Sequence, residues 1–431
     1  MKKIISLIIV CTIIISGMFI YGKSDKKDLL EDNNGPIIAA VIDGKASTTF
    51  PTTNKYTATV ECTRNGIKQD VDAKAIWNGT KWVVSFNDIS AGNVRCNAIF
   101  TTRFPTFSET ILANNEVKAP ITTPGVAIST ASEALLASAE DDYGTSYYFR
   151  GAVTNNYVEF ANKCWRIVRV GGDGSVKLIL HNDNPTGAAN PCDAANNSAS
   201  AAFAHYNGST YTSRFNENYD DNAYIGFKYG TPGSSKYETT HANTNKSTIL
   251  TNLETWYTNN LKTYESVIDD TVWCNDKTNV TDTSYDPWSI TPNGLGYAKN
   301  VTYYGATKRL VGTSGSAGGT GPSLKCNGEL SKINSKVGLI TADELAFAGY
   351  AYGLENSTTY LQENATDTYW CSLSPGLFNG SYALVWYIIG SSGDFAHVYV
   401  FYTSGVRPSI SLKSTTNVTG NGTSEDPYVV E

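Results

Sequence analysis

The N-terminus carries the feature that most restricts the folds open to this chain, an uncharged apolar run of 19 residues. A short basic start precedes it, and residues 4–22 are dominated by isoleucine. This length suits the hydrophobic region of a secretory signal or a minimal membrane span. No Ala-x-Ala cleavage site follows, and Cys11 lacks the small preceding residue that a lipoprotein anchor needs. We therefore expect residues 1–27 to direct export, with an uncleaved membrane-anchor helix favoured over a cleaved signal peptide.

Export places the rest of the chain where disulfides form and persist, and seven cysteines follow Cys11. Cys62 and Cys96 fall on separate predicted strands, as a disulfide between two sheets requires. Further candidate pairs are Cys274 with Cys326, which flank a Gly-rich loop, and the weaker pair Cys164 with Cys192. Because the count is odd, at least one thiol stays free or pairs between chains, and Cys371 is the best candidate for it.

The composition is also typical of a protein outside the cell. Charged residues make up only 17%, against roughly a quarter in an average soluble domain, and aromatic residues make up 12%. The formal net charge is −7, and the basic residues 1–27 contribute +4, so the remainder carries −11. A body this acidic is a poor partner for nucleic acid, whose binding depends on neutralising phosphates. With four histidines and no Cys-x-x-Cys motif, neither a zinc site nor any other cofactor is predicted.

Residues 36–103 are predicted to form a small β domain of the immunoglobulin-like sandwich type. Its sharpest signal is Asn78-Gly79 between two alternating apolar runs, which is a strong hairpin signature. The domain is interpreted as an adhesive module or, with more weight, as a spacer without a ligand. Residues 104–139 follow as a Pro-, Thr- and Ser-rich linker, with a short helix expected over residues 130–139.

Residues 140–431 are expected to form one larger α+β domain. One helix is predicted to begin at an N-cap on Ser247 and to place apolar side chains on one face as far as Ile268. A second helix begins at Thr341, where Glu344 completes a capping box. Both stripes are interpreted as core packing.

Three segments have residues found in functional sites, but each is better interpreted as an ordinary turn or loop. Residues 171–174 are glycine-rich, but they join two strands and lack a Gly-Lys-Ser/Thr ending, so we expect a plain hairpin turn. Residues 312–321 form a flexible Gly/Ser loop without a nucleophile-elbow motif. Residues 216–222 offer several oxygen ligands for calcium, but they lack the glycine and closing glutamate of an EF-hand, so a solvated acidic loop is favoured.

The last strands give the clearest functional signal. After a strand run at 382–390 and a turn at 391–394, residues 395–401 alternate between two faces. Ala396, Val398 and Val400 are expected to face the core. The opposite face is aromatic with polar tips, a composition that binds ligands well and buries area at low entropic cost. The alternative, that another part of the domain covers this face, has equal weight.

At this point the sequence resembles a known group. The segments that carry the resemblance are GLITADE at 338–344, YW at 369–370, SP at 374–375, Gly390 and GVRPSISL at 405–412. In this order they look like the C-type-lectin-like fold of formylglycine-generating enzymes and of the variable proteins of diversity-generating retroelements. The segments SYYFRG at 146–151, WRIVRV at 165–170 and WCND at 273–276 look like bacterial surface proteins with such an ending.

The resemblance implies where a ligand would bind. In retroelement variable proteins, side chains on the last strands before the Val-Arg-Pro signature form the ligand surface. Arg407 of that signature is then expected to anchor the final strand through hydrogen bonds or an ion pair. The candidate ligand-binding residues at the matching positions of this chain are Phe378, Tyr382, Trp386, Asp394, Phe395, His397, Tyr399, Phe401 and Tyr402.

Two differences from this group of proteins reduce the range of activities that the resemblance allows. The oxidase of this fold uses a pair of cysteines near the end of the chain, but only Cys371 lies there. The calcium motifs of the sugar-binding lectins are also absent, and residues 273–276 carry an inserted cysteine and lie too early. The sequence therefore predicts a membrane-anchored, adhesin-like surface protein that binds an unknown protein or glycan without catalysis. An extracellular enzyme on the same fold and a structural envelope protein remain the alternatives.

Overall fold

The computed structural model describes residues 37–87 and 94–431, and this part of the chain is mainly β. The chain divides between Pro105 and Thr106 into two compact units, an N-terminal and a C-terminal one. The anchor predicted for residues 1–27 lies outside the described residues. Within the described ranges, no helix has both the length and the apolar character needed to cross a membrane.

The N-terminal unit is a sheet with a hairpin packed against it. The strands are β1 (Ile37–Ile42), β2 (Lys45–Ser47), β3 (Tyr56–Arg64), β4 (Ile67–Gln69), β5 (Ala73–Trp77), β6 (Trp82–Phe86) and β7 (Val94–Thr102). The sheet has the order β2-β1-β7-β3-β4, in which β1 runs parallel to β7, and β5 and β6 form the separate hairpin. Trp82 of the hairpin packs on Phe100 of the sheet, with ring centroids 5.2 Å apart.

The predicted hairpin at Asn78-Gly79 is confirmed, but its connection has four residues, 78–81, because Trp77 pairs with Trp82. The side-chain oxygen of Asn78 accepts hydrogen bonds from the backbone N–H groups of Thr80 and Lys81. Gly79 has φ +98°, a conformation that glycine adopts without a steric penalty. The turn residues are therefore those that the local backbone geometry requires.

The disulfide in this unit joins the two cysteines paired in the sequence analysis, but in a different arrangement. Cys62 of β3 lies directly opposite Cys96 of β7 in one antiparallel ladder. The expectation of a bridge between two sheets is therefore wrong. The two strands were correctly separated in sequence, but their direct pairing follows from the order of the sheet.

The C-terminal unit contains the remaining twenty strands, most of them short. They are β8 (Ala134–Asp141), β9 (Gly144–Gly151), β10 (Tyr157–Phe160), β11 (Lys163–Val170), β12 (Val176–Asn182), β13 (His205–Tyr206), β14 (Ser209–Thr210), β15 (Thr212–Arg214), β16 (Lys228–Tyr229), β17 (Asn245–Lys246), β18 (Thr271–Cys274), β19 (Thr302–Tyr303), β20 (Lys332–Ser335), β21 (Trp370–Phe378), β22 (Ala383–Ile388), β23 (Phe395–Tyr399), β24 (Thr403–Gly405), β25 (Ser409–Leu412), β26 (Val418–Thr419) and β27 (Tyr428–Val430).

Five α-helices accompany these strands. They are α1 (Phe107–Asn114), α2 (Tyr237–His241), α3 (Thr248–Asn260), α4 (Gly305–Leu310) and α5 (Ala342–Ala348). The N-caps predicted at Ser247 and Thr341 are confirmed, and Glu344 closes the capping box at Thr341. Helix α3 ends earlier than predicted, because Leu261 leaves the helical conformation and Ile268 instead forms a bridge to Leu412.

The segment 104–139, predicted to be a linker, belongs largely to the C-terminal unit. Helix α1 lies within it and buries Phe107 and Ile111 in the main core. The expected helix at 130–139 is wrong, since these residues lead into strand β8, which pairs along its length with β9. The partner strand decides this segment, because a strand's backbone groups need a neighbour to bond with.

Two sheets organise the C-terminal unit. The larger has the order β25-β12-β11-β10-β27-β26, with β9 pairing to the free end of β11 and β8 beyond it. The smaller has the order β15-β24-β21-β22-β23, with β19 also pairing to β21. All nine residues of β21 are buried, and the hairpin β22–β23 forms one edge of this sheet.

Two disulfides and a deeply buried arginine tie the segments of this unit together. Cys164 pairs with Cys192 and Cys274 pairs with Cys326, while Cys371 is a buried free thiol. Arg407 donates to the carbonyl oxygens of Leu180 and Leu361 at 3.0 and 2.5 Å, and its guanidinium lies 4.7 Å from the ring centroid of Trp370. Arg407 thus has the hydrogen-bonded structural role that the resemblance implies.

Candidate functional site

The candidate ligand residues lie mostly on the hairpin β22–β23. In its register Trp386 is opposite His397, and Leu384 is opposite Tyr399, so these four share one face. On the other face, Val398 and Val400 are buried in the main core, as the alternation predicts, whereas Ala396 is only partly buried. The aromatic face is not uniform along the strand, and its residues fall into three environments.

The first environment is a covered end. Trp386 and Phe395 have no exposed surface there, and neither has Phe378, which lies on β21 opposite Ala383, although all three were predicted as ligand contacts. The ring of Trp386 lies 4.6 Å from that of Phe395, and Tyr350 lies 6.1 Å from Phe395 on the other side. These three assignments are therefore wrong, because other segments of the same unit already occupy the space that a ligand would need.

The second environment surrounds His397. Its ring is in contact with Trp386 at 4.1 Å, Trp288 at 5.3 Å and Tyr352 at 5.6 Å between centroids. Gly376 of β21 lies beneath it, where an added Cβ would come within 2.6 Å of the imidazole Cδ2. Burial lowers the pKa of His397 to about 3, since desolvation disfavours the charged form. The imidazole is neutral at physiological pH and acts here as a packing group.

The third environment is open to solvent. We call the rings of Tyr219, Tyr382, Tyr399, Phe401 and Tyr402 the open aromatic cluster. The rings of Tyr399 and Phe401 are nearly parallel, with an angle of 8° and centroids 5.4 Å apart. Tyr382 lies 5.0 Å from Tyr399, and Tyr219 lies 4.6 Å from Phe401. Tyr402 is 47% exposed, Tyr219 39% and Tyr382 37%, so the cluster presents a continuous aromatic surface.

Backbone hydrogen bonds hold the open aromatic cluster in place. Asn379 accepts through its side chain from the N–H of Tyr382, and the N–H of Ala383 donates to the carbonyl of Tyr219. The N–H of Tyr402 donates to the carbonyl of Tyr399, which closes the turn after β23. The rings therefore project from fixed backbone positions, and a ligand would not have to order a flexible loop.

Tyr219 is the member of this cluster that sequence reasoning missed. It lies in the run 216–222, which was interpreted only through its oxygen-bearing side chains. In the structure those side chains have local roles, since Asp221 accepts from the N–H groups of Ala223 and Gly233. An aromatic residue within a polar run was the available signal, but nothing in the sequence places it beside residues 382–402.

Asp394 lies apart from the cluster, at the turn that joins β22 to β23. One of its carboxylate oxygens is buried and has no hydrogen-bond partner within the described residues. Burial, reinforced by the nearby charge of Glu355, raises the pKa of this carboxyl. The candidate set therefore separates into a covered end, the His397 environment, the open aromatic cluster and Asp394.

A network of buried charges is the other concentration of reactive groups. Glu344, the capping residue of α5, accepts from Lys177 at 2.7 Å and from Arg169 at 2.9 Å, and Arg169 also pairs with Asp141. Burial raises the pKa of Glu344, but the charges of Lys177 and Arg169 outweigh it and lower the pKa to about 2. Burial lowers the pKa of Lys177 despite its carboxylate partner.

This network is suited to holding segments together and has little room for a substrate. Beside it, Arg309 binds Asp343 at 2.7 Å and Asp276 at 2.6 Å. The cavity that both groups line measures about 40 Å³, whereas small-molecule sites occupy roughly 300–1,000 Å³. Its volume is sufficient for ordered water that bonds to the charged groups.

No family model, curated protein or solved structure matches this chain.

Proposed function

We propose that this protein is an exported, adhesin-like binding protein anchored at the bacterial cell surface, and that the open aromatic cluster contacts its ligand. The ligand is a protein or a glycan. The C-terminal unit is proposed to have the C-type-lectin-like fold that its closing motif resembles, and the N-terminal unit is proposed to be an immunoglobulin-like spacer. The single observation that carries the proposal is the clustering of five rings, three exposed and two partly exposed, at fixed backbone positions.

The physical chemistry of the cluster supports this assignment. Tyrosine buries a large area at a low cost in conformational entropy, and its hydroxyl provides a hydrogen-bonding group at the rim. A contiguous aromatic surface on a soluble unit is unusual, since monomers rarely leave such patches open without a use. The three disulfides agree with export to an oxidising compartment.

A binding screen with matched variants tests the proposal. The full-length protein is screened against immobilised glycans, extracellular-matrix proteins and bacterial envelope fractions. A Tyr382→Ala/Tyr399→Ala/Tyr402→Ala variant removes three of the five rings of the cluster and is designed to leave β22 and β23 paired. Binding that this variant loses, at an unchanged melting temperature, supports the assignment of the site.

The control replaces tyrosines that are more exposed than those of the cluster and lie elsewhere. Tyr143 and Tyr206 are 61% and 66% exposed, and the Tyr143→Ala/Tyr206→Ala variant removes a similar aromatic area. This control is expected to bind as the unchanged protein does. Equal binding by both variants would remove the open aromatic cluster as the ligand site, and the absence of any ligand would favour a structural role.

A further inference from the structure

A groove lies at the other end of the hairpin β22–β23, beyond its connecting turn. Its walls come from residues 152–154, residues 357–366 and Ser391, and we call it the Glu363 groove. It encloses about 360 Å³, which is within the range of small-molecule sites. None of the residues of the open aromatic cluster lines it, so it is a separate site.

Glu363 is held in the groove by three hydrogen-bond donors. Its Oε2 accepts from the guanidinium of Arg166 at 2.8 Å and from the hydroxyl of Tyr157 at 3.0 Å. Its Oε1 accepts from the amide of Asn197 at 2.9 Å. The side chain nevertheless remains 39% exposed, so the carboxylate is fixed in position and can still accept a hydrogen bond from a ligand.

Most residues that line the groove carry a hydroxyl group, although the hydroxyls of Thr359 and Tyr360 are buried. Seven of its eleven lining residues are serine, threonine or tyrosine. The side chains of Thr154, Thr366 and Ser391 make no hydrogen bond to the described part of the protein. Each hydroxyl can both donate and accept, so these groups can bond with ligand hydroxyls in either direction. Ala152 adds a small apolar surface beside them, together with the 5% of Val153 that is exposed.

The floor of the groove is already formed. Gln362 accepts from the hydroxyl of Tyr350 and donates to the carbonyl of Gly390, and Thr359 donates to the carbonyl of Ala348. Both Gln362 and Thr359 are 2% exposed. A ligand would therefore meet a surface that needs little reorganisation, which lowers the cost of binding.

The charge of the groove favours a neutral ligand. Arg166 neutralises Glu363, and its guanidinium is fully buried against the ring of Tyr157 at 3.7 Å. No lysine or arginine is among the lining residues, so no cationic side chain in the groove would pair with a phosphate or sulfate group.

We propose that the Glu363 groove binds a neutral saccharide of one or two rings. The carboxylate and the uncommitted hydroxyls hydrogen-bond to the sugar hydroxyls, and the apolar surface at residues 152–153 packs against its carbon face. The binding needs no metal ion. This site is independent of the proposed function of the open aromatic cluster, and either can fail without the other.

Saturation-transfer NMR on the full-length protein tests the proposal, with cellobiose, lactose, maltose and N,N′-diacetylchitobiose as probes. Saturation transfer to at least one disaccharide is expected. Thr366→Val and Ser391→Ala should each raise the dissociation constant about three- to tenfold, because each removes one hydrogen bond to the ligand. Ser391→Trp, at an exposed turn position, should fill the groove and abolish the signal.

Matched controls separate this site from the open aromatic cluster and from general damage. Thr313→Val changes an exposed threonine in a distant loop and should leave the signal unchanged. The Tyr382→Ala/Tyr402→Ala variant should also retain it. Absence of saturation transfer from all probes overturns the proposal. A signal that survives Ser391→Trp, or that only the tyrosine variant loses, also overturns it because the saccharide then binds elsewhere.

Discussion

The two ends of strand β23 present the same alternation of side chains in opposite surroundings. At one end, Phe395 has no exposed surface and packs between Trp386 and Tyr350. At the other end, Tyr399 and Phe401 stack beside each other in the open aromatic cluster. The strand is continuous and the face is the same. What differs is whether a distant segment covers the aromatic side chains.

The cover over the first end comes from far along the chain. Trp288 and Tyr352 close over His397, and both are remote in sequence from residues 395–399. Beyond them Tyr219 adds a ring from another segment, which contacts Tyr382 and Phe401 and leaves the cluster open. A residue's place on the face therefore does not decide its function, and predictions can be made separately for each end.

The largest expected effect is at the covered end, from Trp386→Ala. Trp386 is fully buried and contacts Phe395, His397 and Tyr352. Its removal should lower the free energy of unfolding by about 4 kcal/mol, as for other buried aromatic residues. Urea unfolding of the variant measures this loss. A loss below about 1 kcal/mol would mean that the covered end is not part of the core.

The next largest effect is expected from adding one methyl group beneath His397. In Gly376→Ala the new Cβ would meet the imidazole Cδ2 at 2.6 Å and Nε2 at 3.0 Å, closer than van der Waals contact allows. Overpacking of this kind costs about 1–3 kcal/mol, which urea unfolding also measures. A neutral result would show that the imidazole can move aside, and that the rings over it leave free space.

The organisation around this face was partly accessible from sequence. Local turn chemistry predicts the hairpin at Asn78-Gly79, and capping predicts the helix starts at Ser247 and Thr341. Strand alternation predicts the core face of β23. These signals involve residues close in sequence, so one chain suffices to find them. The strand at 134–141 was missed because its structure depends on pairing with β9.

The candidate site was less accessible for the same physical reason. Alternation correctly placed Phe395, His397 and Tyr399 on one face, but it contains no information on which of them a distant segment covers. Long-range packing brings Tyr219 and Glu363 to their positions, and the residues next to them in sequence do not predict their neighbours in space. Local patterns thus specify faces, and tertiary packing specifies which part of a face meets solvent.

A smaller effect is expected from pH, acting on His397. Its pKa is lowered to about 3 in the folded state by burial, against about 6.5 in the unfolded chain. Between these values the unfolded chain binds a proton that the folded protein excludes, so stability is complete above about pH 6.5 and falls as the pH is lowered towards 3. From pH 7 to pH 5 this histidine should account for about 1–2 kcal/mol.

The His397→Gln variant isolates that contribution. Burial also lowers the pKa of His181 and lowers that of His241 to about 3. The unchanged protein and the His397→Gln variant should therefore both lose stability in acid. The loss between pH 7 and pH 5, measured by urea unfolding at each pH, should be smaller in His397→Gln. Equal losses would show that His397 is hydrated in the folded protein and belongs with the open end of the face.

The smallest effect on stability is expected at the open end, from Tyr402→Ala. Tyr402 is 47% exposed and touches Tyr399 and Phe401 only through edge contacts at 5.4 and 5.1 Å. Its removal should change the free energy of unfolding by less than about 1 kcal/mol, within the range of exposed positions. Urea unfolding beside Trp386→Ala makes the comparison direct. If the two variants lose similar stability, the rings of the open aromatic cluster support the fold in the way a core does. Their exposure would then no longer need a ligand to explain it, and the proposed binding function would lose its main support.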